Sequence, residues 1–345
     1  MAIVAAGGGG LPREAMFHVE HPVPARTIEP FPPSRAPRRR LPLQPAPMTS
    51  ILCLGHSALD AIYEVPAIPT TPIKVLATGF TESGGGMAAN ASVAVARLGA
   101  EAHYWGRVGN DEVGTRILAQ LAADGVDTRG VRRIAGAASP TAAILVAASG
   151  ERLICIYNDP RLDPDPSWLP LDRVPQFAAV LADVRWPAGA AAVLDRARAA
   201  GIPAILDADV GPPEATRDLG RRATHIAFSE PGLALTAGTD SPGEGLRRAA
   251  VEFTAVVGVT LGEAGYLWLD GSTERRIPAP AVDAVDTLAA GDVWHGAFAL
   301  ALGERQAIEA AARFANAAAA IKCTRPGGRL GAPRRSEVEA LLAAG

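Results

Sequence analysis

The stretch Asp286-Thr287-Leu288-Ala289-Ala290-Gly291-Asp292-Val293-Trp294-His295-Gly296 stands directly before an apolar segment of helical spacing. Small residues at Ala289, Ala290 and Gly291 let the backbone approach a ligand closely, and the unpaired N–H groups at a helix start attract an anion. A phosphate suits such a place. A carboxylate beside it, Asp292, would repel the anion, so its presence makes sense if it accepts a proton from a hydroxyl that attacks phosphorus. As a bare Gly-Asp pair, the same residue also reads as a helix cap. A second small-residue stretch, Gly84-Gly85-Gly86-Met87-Ala88-Ala89-Asn90, opens another helix; alone it fits either a tight loop or a backbone approach to a ligand.

These groups need elements to hold them. From Ile51 onward, short aliphatic runs closed by turn residues alternate with longer stretches of helical spacing, the pattern of a mostly parallel sheet covered on both faces. The runs predict strands over 51–55, 102–108, 178–182, 204–207, 225–228 and 255–260. Helical spacing covers 88–98, 113–123, 188–200 and 244–252, and two alanine-rich helices follow at about 292–302 and 305–322. Residues 61–81 and 139–158 break the alternation and read as antiparallel strands, with Gly150 at a hairpin turn. Open α/β sheets bind ligands beyond the carboxyl ends of their strands, so a small sheet made by these segments would form a lid that excludes water.

Residues 1–48 differ from all that follows: Gly7 to Gly10 are consecutive, prolines crowd Pro22 to Pro47, and Arg38, Arg39 and Arg40 form a basic cluster. Such a segment cannot offset its ordering entropy by burial and is expected to be a disordered leader ahead of one domain at 49–345. It has neither a secretory h-region nor an amphipathic organellar helix, and Met48 is a second candidate start.

The string Asp286 to Asp292 resembles the DTxGAGD signature of the PfkB, or ribokinase-like, family of sugar kinases, with Ala289 in place of the first glycine. Gly84 to Asn90 and the helix ending Ala94-Val95-Ala96-Arg97-Leu98-Gly99 resemble its GG-x-x-x-N element, and Gly106-Arg107-Val108-Gly109-Asn110-Asp111 follows in place. The resemblance spans Ile51 to about Leu342. It implies a three-layer α/β/α fold with a β-sheet lid, ATP and Mg²⁺ as cofactors, and Asp292 as base beside an anion hole of Ala289, Ala290 and Gly291. Asp60, Gly85, Gly86 and Asn90 fall on sugar-binding positions; the acceptor oxygens of Asp60 suit vicinal hydroxyls, although alone it reads as a turn residue. Val259 to Gly265 resembles the nucleotide border, which gives Thr260, Gly262 and Gly265 that role together with Ser229. The family's N-x-x-E element is matched only by Ser229-Glu230-Pro231-Gly232, so Glu230 is left to contact the metal through water. The family also leaves room for a monovalent cation.

Three further strings narrow the substrate: Leu181 to Trp186, Ala227 to Leu233 and Lys322 to Arg329 resemble stretches of the family's bacterial sulfofructose kinases. Such an enzyme phosphorylates the 1-hydroxyl of 6-deoxy-6-sulfofructose, and the resemblance puts Lys74 and Arg185 on the sulfonate. A permanent anion with three acceptor oxygens suits a guanidinium and an ammonium. The asparagine expected on the lid strand is replaced by Ile156; Asn158, on the same strand face, would reach the pocket after a register shift. The alternatives are a fructokinase, ribokinase or 2-keto-3-deoxygluconate kinase, or a sugar-binding sensor without catalysis.

The composition excludes other classes. The 345 residues are 48% hydrophobic, enough for a large aliphatic core, and 33 basic against 36 acidic residues give a net charge of -3, without the positive field that holds a nucleic acid. No apolar run is long enough for a membrane span. Cys53, Cys155 and Cys323 are too scattered for a disulfide framework and fit the cytoplasm. A dehydrogenase is disfavoured because the loop after the first strand, Gly55 to Asp60, lacks GxGxxG. His56 and His295 read as packed or solvent-facing. Exposed lid edges suggest a homodimer.

Overall fold

Runs such as Ser50-Ile51-Leu52-Cys53-Leu54 have no polar face, so they are stable only with helices on both sides. The computed structural model describes residues 48–162 and 164–344, and in it these runs form the centre of a nine-stranded sheet. In chain order the strands are β1 (Ser50–Gly55), β2 (Ala58–Val65), β3 (Gly79–Gly85), β4 (Glu101–Gly109), β5 (Asp127–Ile134), β6 (Thr141–Ala147), β7 (Arg152–Tyr157), β8 (Ala179–Asp183), β9 (Ala204–Ala208), β10 (His225–Ser229), β11 (Val256–Thr260), β12 (Tyr266–Asp270) and β13 (Thr273–Ile277). The helices are α1 (Met87–Arg97), α2 (Glu112–Ala123), α3 (Pro187–Ala199), α4 (Pro213–Gly220), α5 (Glu230–Ala237), α6 (Pro242–Glu252), α7 (Ala290–Gly303), α8 (Ile308–Cys323) and α9 (Arg335–Ala344). The leader expected over 1–48 lies, Met48 apart, outside the described residues.

The large sheet runs β13-β12-β11-β10-β9-β8-β1-β4-β5, parallel from β11 to β5 and antiparallel only where β12 and β13 extend it. Strand alternation divides its core. Ile51 and Cys53 face the layer of α1, α7 and α8, whereas Leu52 and Leu54 face α3, α5 and α6. The chain leaves β1 toward β4 and later returns to β8 on the other side, so a crevice opens beyond the ends of β1 and β8.

The second sheet has the order β3-β2-β6-β7. Its outer pairs are antiparallel, as expected, but the central β2–β6 pair is parallel, and residues 66–78 form a connection without a strand. Gly150 makes the β6–β7 turn at φ +85°. Among the described residues Ile62, Ala142 and Ile144 form this sheet's own buried cluster, with Val146 and Leu288 packed against it. Leu288 belongs to the loop before α7, so the small sheet borders the anion-hole candidate. Sequence patterning also missed β5, the β12–β13 hairpin, α4, α5 and α9, all short or carrying many charged residues.

Candidate active site

Asp183, at the end of β8, organises the crevice. Its carboxylate is 1% exposed and accepts N–H bonds from His56 at 2.7 Å, Arg185 at 2.9 Å and Ala88 at 3.2 Å. It thereby ties together the end of β1, the end of β8 and the first turn of α1. A Cβ on Gly55 would lie 2.2 Å from this carboxylate, so only glycine lets the two meet. Burial raises the Asp183 pKa, and the three N–H bonds oppose that shift.

The start of α7 forms the opposite edge of the crevice. Ala289 adopts a left-handed φ of 62° as its N-cap residue, which turns the chain so that Ala290, Gly291 and Asp292 form the first helical turn. The Ala290 amide donates to the Thr287 carbonyl at 3.2 Å, whereas the amides of Ala289, Gly291 and Asp292 find no acceptor among the described residues. Two of the three expected anion-hole amides are thus free, and Asp292 contributes a third. A Cβ on Gly291 would meet nothing within 4 Å, so the space before these amides is open. Asp292 accepts a 2.7 Å hydrogen bond from Asn90 Nδ2. Burial pushes its pKa up to about 7; Asp209, Asp183 and Asp60 add to the rise and the Asn90 bond opposes it. A carboxyl poised near neutrality is suited to accept a proton.

Next to it stands a second set of buried polar groups. Asn90 is 5% exposed and its Oδ1 has no hydrogen-bond partner, an acceptor left for a ligand hydroxyl. Asp60, on β2, is 8% exposed and lies where a Cβ on Gly85 would be 2.1 Å from its Oδ2. Burial raises its pKa to about 6, opposed by the Arg329 guanidinium. Gly86 holds φ +93° with Ser57 Cα in the space of a side chain, so this glycine is required by the turn into α1. Asp60, Gly85, Gly86, Asn90 and Asp292 therefore converge.

On the other side of the α7 start, Thr260, Gly262 and Gly265 line a cavity of about 720 Å³ with Ala290, Gly291 and Trp294. Most of its remaining wall is apolar, including Ala279, Val282 and Ala319, which fits a flat base reaching outward from phosphates held at the helix start. Ser229 does not join this wall. Its hydroxyl caps α5, accepting from the Gly232 amide at 3.1 Å and donating to Asp209 at 2.7 Å. Glu230 begins α5 with an exposed side chain.

The groups expected to meet an anionic substituent are only partly assembled. Arg185 emerges beyond β8, 4.0 Å from Asp209, and its charge, with that of Arg107, helps burial push His56 down to about 4. Arg107 lies over the Trp186 ring at 4.3 Å. Lys74 is exposed on the 66–78 connection and forms no hydrogen bond or ion pair among the described residues. The β6–β7 register is regular through Thr141↔Tyr157 and Ala142↔Ile156, so the register shift expected for Asn158 does not occur; Asn158 stands exposed just past the strand.

Sequence reasoning quoted Asp183, Lys322 and Asp286 without giving them a part. Lys322 is fully buried and donates to the Asp286 carbonyl at 2.7 Å, with the Asp286 carboxylate 3.1 Å away. That carboxylate also accepts from the amides of Leu288 and Gly328. The loop leading into α7 is thus held from behind by a fixed ammonium. A charged residue inside an alanine-rich helix was the available signal.

Comparison with known proteins places the chain in a family. The model of the pfkB family of carbohydrate kinases matches residues 48–335. The chain is 33% identical to a ribokinase of Bacillus subtilis, over 86% of this chain and 100% of that protein, and 31% identical to fructokinase-1 of Oryza sativa subsp. japonica, over 85% and 97%. Among solved structures it resembles a putative ribokinase from Agrobacterium tumefaciens, at 42% identity and a TM-score of 0.83, covering 86% of this chain and 98% of the other. It also resembles the Arabidopsis thaliana ribokinase solved with ribose and ATP, at 25% identity and a TM-score of 0.73 over 86% and 99%. With the motif residues gathered at one crevice and the family's model matched along almost all of the described chain, this protein belongs to the pfkB family of carbohydrate kinases.

Proposed function

We propose that the protein transfers the γ-phosphoryl group of ATP to a primary hydroxyl of a sugar, with Asp292 as general base. The observation that carries this is the juxtaposition of a carboxyl raised to about 7 with free helix-start amides. Asp60 and the free Asn90 Oδ1 orient the sugar, Asp292 takes its proton, and the amides of Ala289, Gly291 and Asp292 stabilise charge growing on the transferring group. The apolar cavity beside Gly291 supports a place for the base of ATP, and the likeness to a ribokinase solved with ribose and ATP supports the same reading.

Mg²⁺ would be carried mainly on the nucleotide phosphates, a reading supported by the ribokinase-like neighbour solved with ATP and Mg²⁺. Glu230, exposed at the start of α5, would meet it through water. When bound, the metal neutralises phosphate charge. A monovalent cation has less to add, because the Lys322 ammonium already stands behind the Asp286 loop.

The substrate we assign is 6-deoxy-6-sulfofructose, phosphorylated at its 1-hydroxyl. Arg185, beside Arg107 and His56 at the crevice, supports an anionic tail; Lys74 and Asn158 would have to swing in with the small sheet. A neutral ketose or pentose, or 2-keto-3-deoxygluconate, is the second reading, favoured by the ribokinase and fructokinase relatives and by the Arg185–Asp209 contact. A non-catalytic sensor would have no use for the raised Asp292. A panel of these sugars with ATP and Mg²⁺ decides among them. Arg185→Ala is expected to lower kcat/KM for sulfofructose by about 100-fold while changing fructose by less than about threefold; equal losses would remove the sulfonate assignment. No helix among the described residues is long and apolar enough to cross a membrane. The need for ATP supports a cytoplasmic location. The exposed Tyr63, Phe80, Leu153 and Ile156 of the small sheet support a homodimer there, for which sedimentation over a concentration series is the test.

A further inference from the structure

His295 lies on α7 one turn beyond Gly291 and is 3% exposed. Its ring meets oxygen on both sides. Nδ1 is 2.8 Å from the Gly291 carbonyl, and Nε2 is 3.2 Å from the Ala227 carbonyl on β10 and 3.5 Å from Asp207 Oδ1 on β9. Carbonyl oxygens only accept, so both bonds form together only when both ring nitrogens carry a proton. The resulting imidazolium has the Asp207 carboxylate as its neighbouring counter-charge. Asp207 is itself 3% exposed and pairs in register with Asp183.

The charged groups facing the pair come from three elements. Asp183 and Arg185 lie at the end of β8, Asp209 just past β9, and Asp292 on α7. His295 and Asp292 are three residues apart on one helix, hence on one face. A bare Asp207 carboxylate behind Asp292 would hold the base protonated, whereas a bare imidazolium would keep it ionised and weaken it as a proton acceptor. Together the two ions present no net charge to the site. Burial raises the Asp207 carboxyl well above its ordinary value and lowers His295, so neither ion is stable alone, and the pair is held by its own attraction and by the two carbonyl acceptors of the ring.

We propose that Asp207 and His295 form a positioning dyad for phosphoryl transfer, in which the His295 imidazolium grips the Gly291 carbonyl and fixes the first turn of α7 while Asp207 neutralises it. The dyad rests on the reading of Asp292 as the base. It touches neither sugar nor nucleotide; it acts through the turn that carries the free amides and through the charge seen by Asp292.

Nitrogen-15 NMR of the full-length protein labelled at histidine reads the first half directly. The His295 signal, identified by its loss in His295→Phe, is expected to show both ring nitrogens protonated between about pH 6 and about pH 8. A neutral tautomer in that window overturns the dyad. Kinetics read the second half. His295→Phe and the isosteric Asp207→Asn should each lower kcat about tenfold or more, with KM for ATP and sugar changed less than about threefold. Because each ion loses its charge without the other, the His295 signal should revert to a single protonated ring nitrogen in Asp207→Asn. Damage to packing alone has no reason to remove that ring proton; an imidazolium that persists in Asp207→Asn refutes the proposal. Should the phenylalanine variant not fold, the asparagine variant carries the kinetic test, and Asp207→Asn also identifies the His295 signal by shifting it. Retained turnover in Asp292→Asn would instead remove the base assignment, while the NMR result would still decide the state of the pair.

Discussion

Asp292 owes its chemistry to its neighbours. An ordinary carboxyl is a poor base at neutral pH, but burial and the surrounding carboxylates hold its pKa at about 7. Transfer requires the ionised form, so turnover should fall as pH drops through about 7. Asp292→Asn should lower kcat by about 10³-fold with KM little changed, as steady-state kinetics would report. The same residue costs stability, with a sign that can be worked out. A carboxyl whose pKa is raised on folding binds its proton more tightly when folded, so stability declines as pH rises above the unfolded value of 3.8, and the whole cost is present above about 7. The asparagine variant, never charged, should therefore melt about 3 °C higher than the wild type at pH 8, with a smaller gain at pH 5. Calorimetry at the two pH values checks this; a gain larger at pH 5 would contradict the burial argument.

At the scale of elements, the site is a set of strand ends and two helix starts held in register by buried polar groups. The central strands were legible because parallel strands covered on both faces must be aliphatic throughout, as Ile51 to Leu54 are. The β13 strand was not, since Thr273 to Arg276 are exposed at the sheet edge and carry no such pattern. Asp292, the glycines and Asn90 stood out in the sequence because small residues before a helix, with a carboxylate or an amide in its first turn, are features of neighbouring residues. Asp183 was not, because its partners His56 and Ala88 lie 127 and 95 residues away. Lys322 is the comparable case behind α7. Lys322→Met keeps most of the volume and removes the ammonium, leaving the half-buried Asp286 carboxylate with only the Leu288 and Gly328 amides. Breaking a buried pair in this way should cost about 3 kcal/mol of stability, read as a lower urea midpoint with unchanged slope. It should also lower kcat, because the free amides begin three residues after Asp286. An unchanged midpoint would mean that the ammonium is not what holds the loop.

Across the whole molecule the two sheets differ in how firmly they are built. The large sheet has its central strands buried between two helical layers, whereas the small one has a core cluster of just Ile62, Ala142 and Ile144 among the described residues and ends in β7, exposed along its full length. Local opening follows the amount of apolar burial, so amides of β6 and β7 should exchange with solvent far faster than those of β1, β8 and β9. That looseness has a use here. Asp60 on β2 and Gly85 on β3 belong to the small sheet, and Asp292 and the free amides belong to the large domain, so a sugar held by both would bridge them. Leu288 already packs on the small sheet from the loop before α7, which gives the closing movement a direct route to the anion hole. Hydrogen exchange read by mass spectrometry should therefore slow by about tenfold or more over β2, β3 and β6 when sugar and a non-hydrolysable ATP analogue are both present, with the centre of the large sheet unchanged. In Asp60→Asn, which weakens the sugar's hold on the small sheet, the slowing should be lost while that caused by nucleotide around Gly262 and Gly265 persists. Protection that appears with nucleotide alone, or that survives in Asp60→Asn, would show that the small sheet does not close on the sugar.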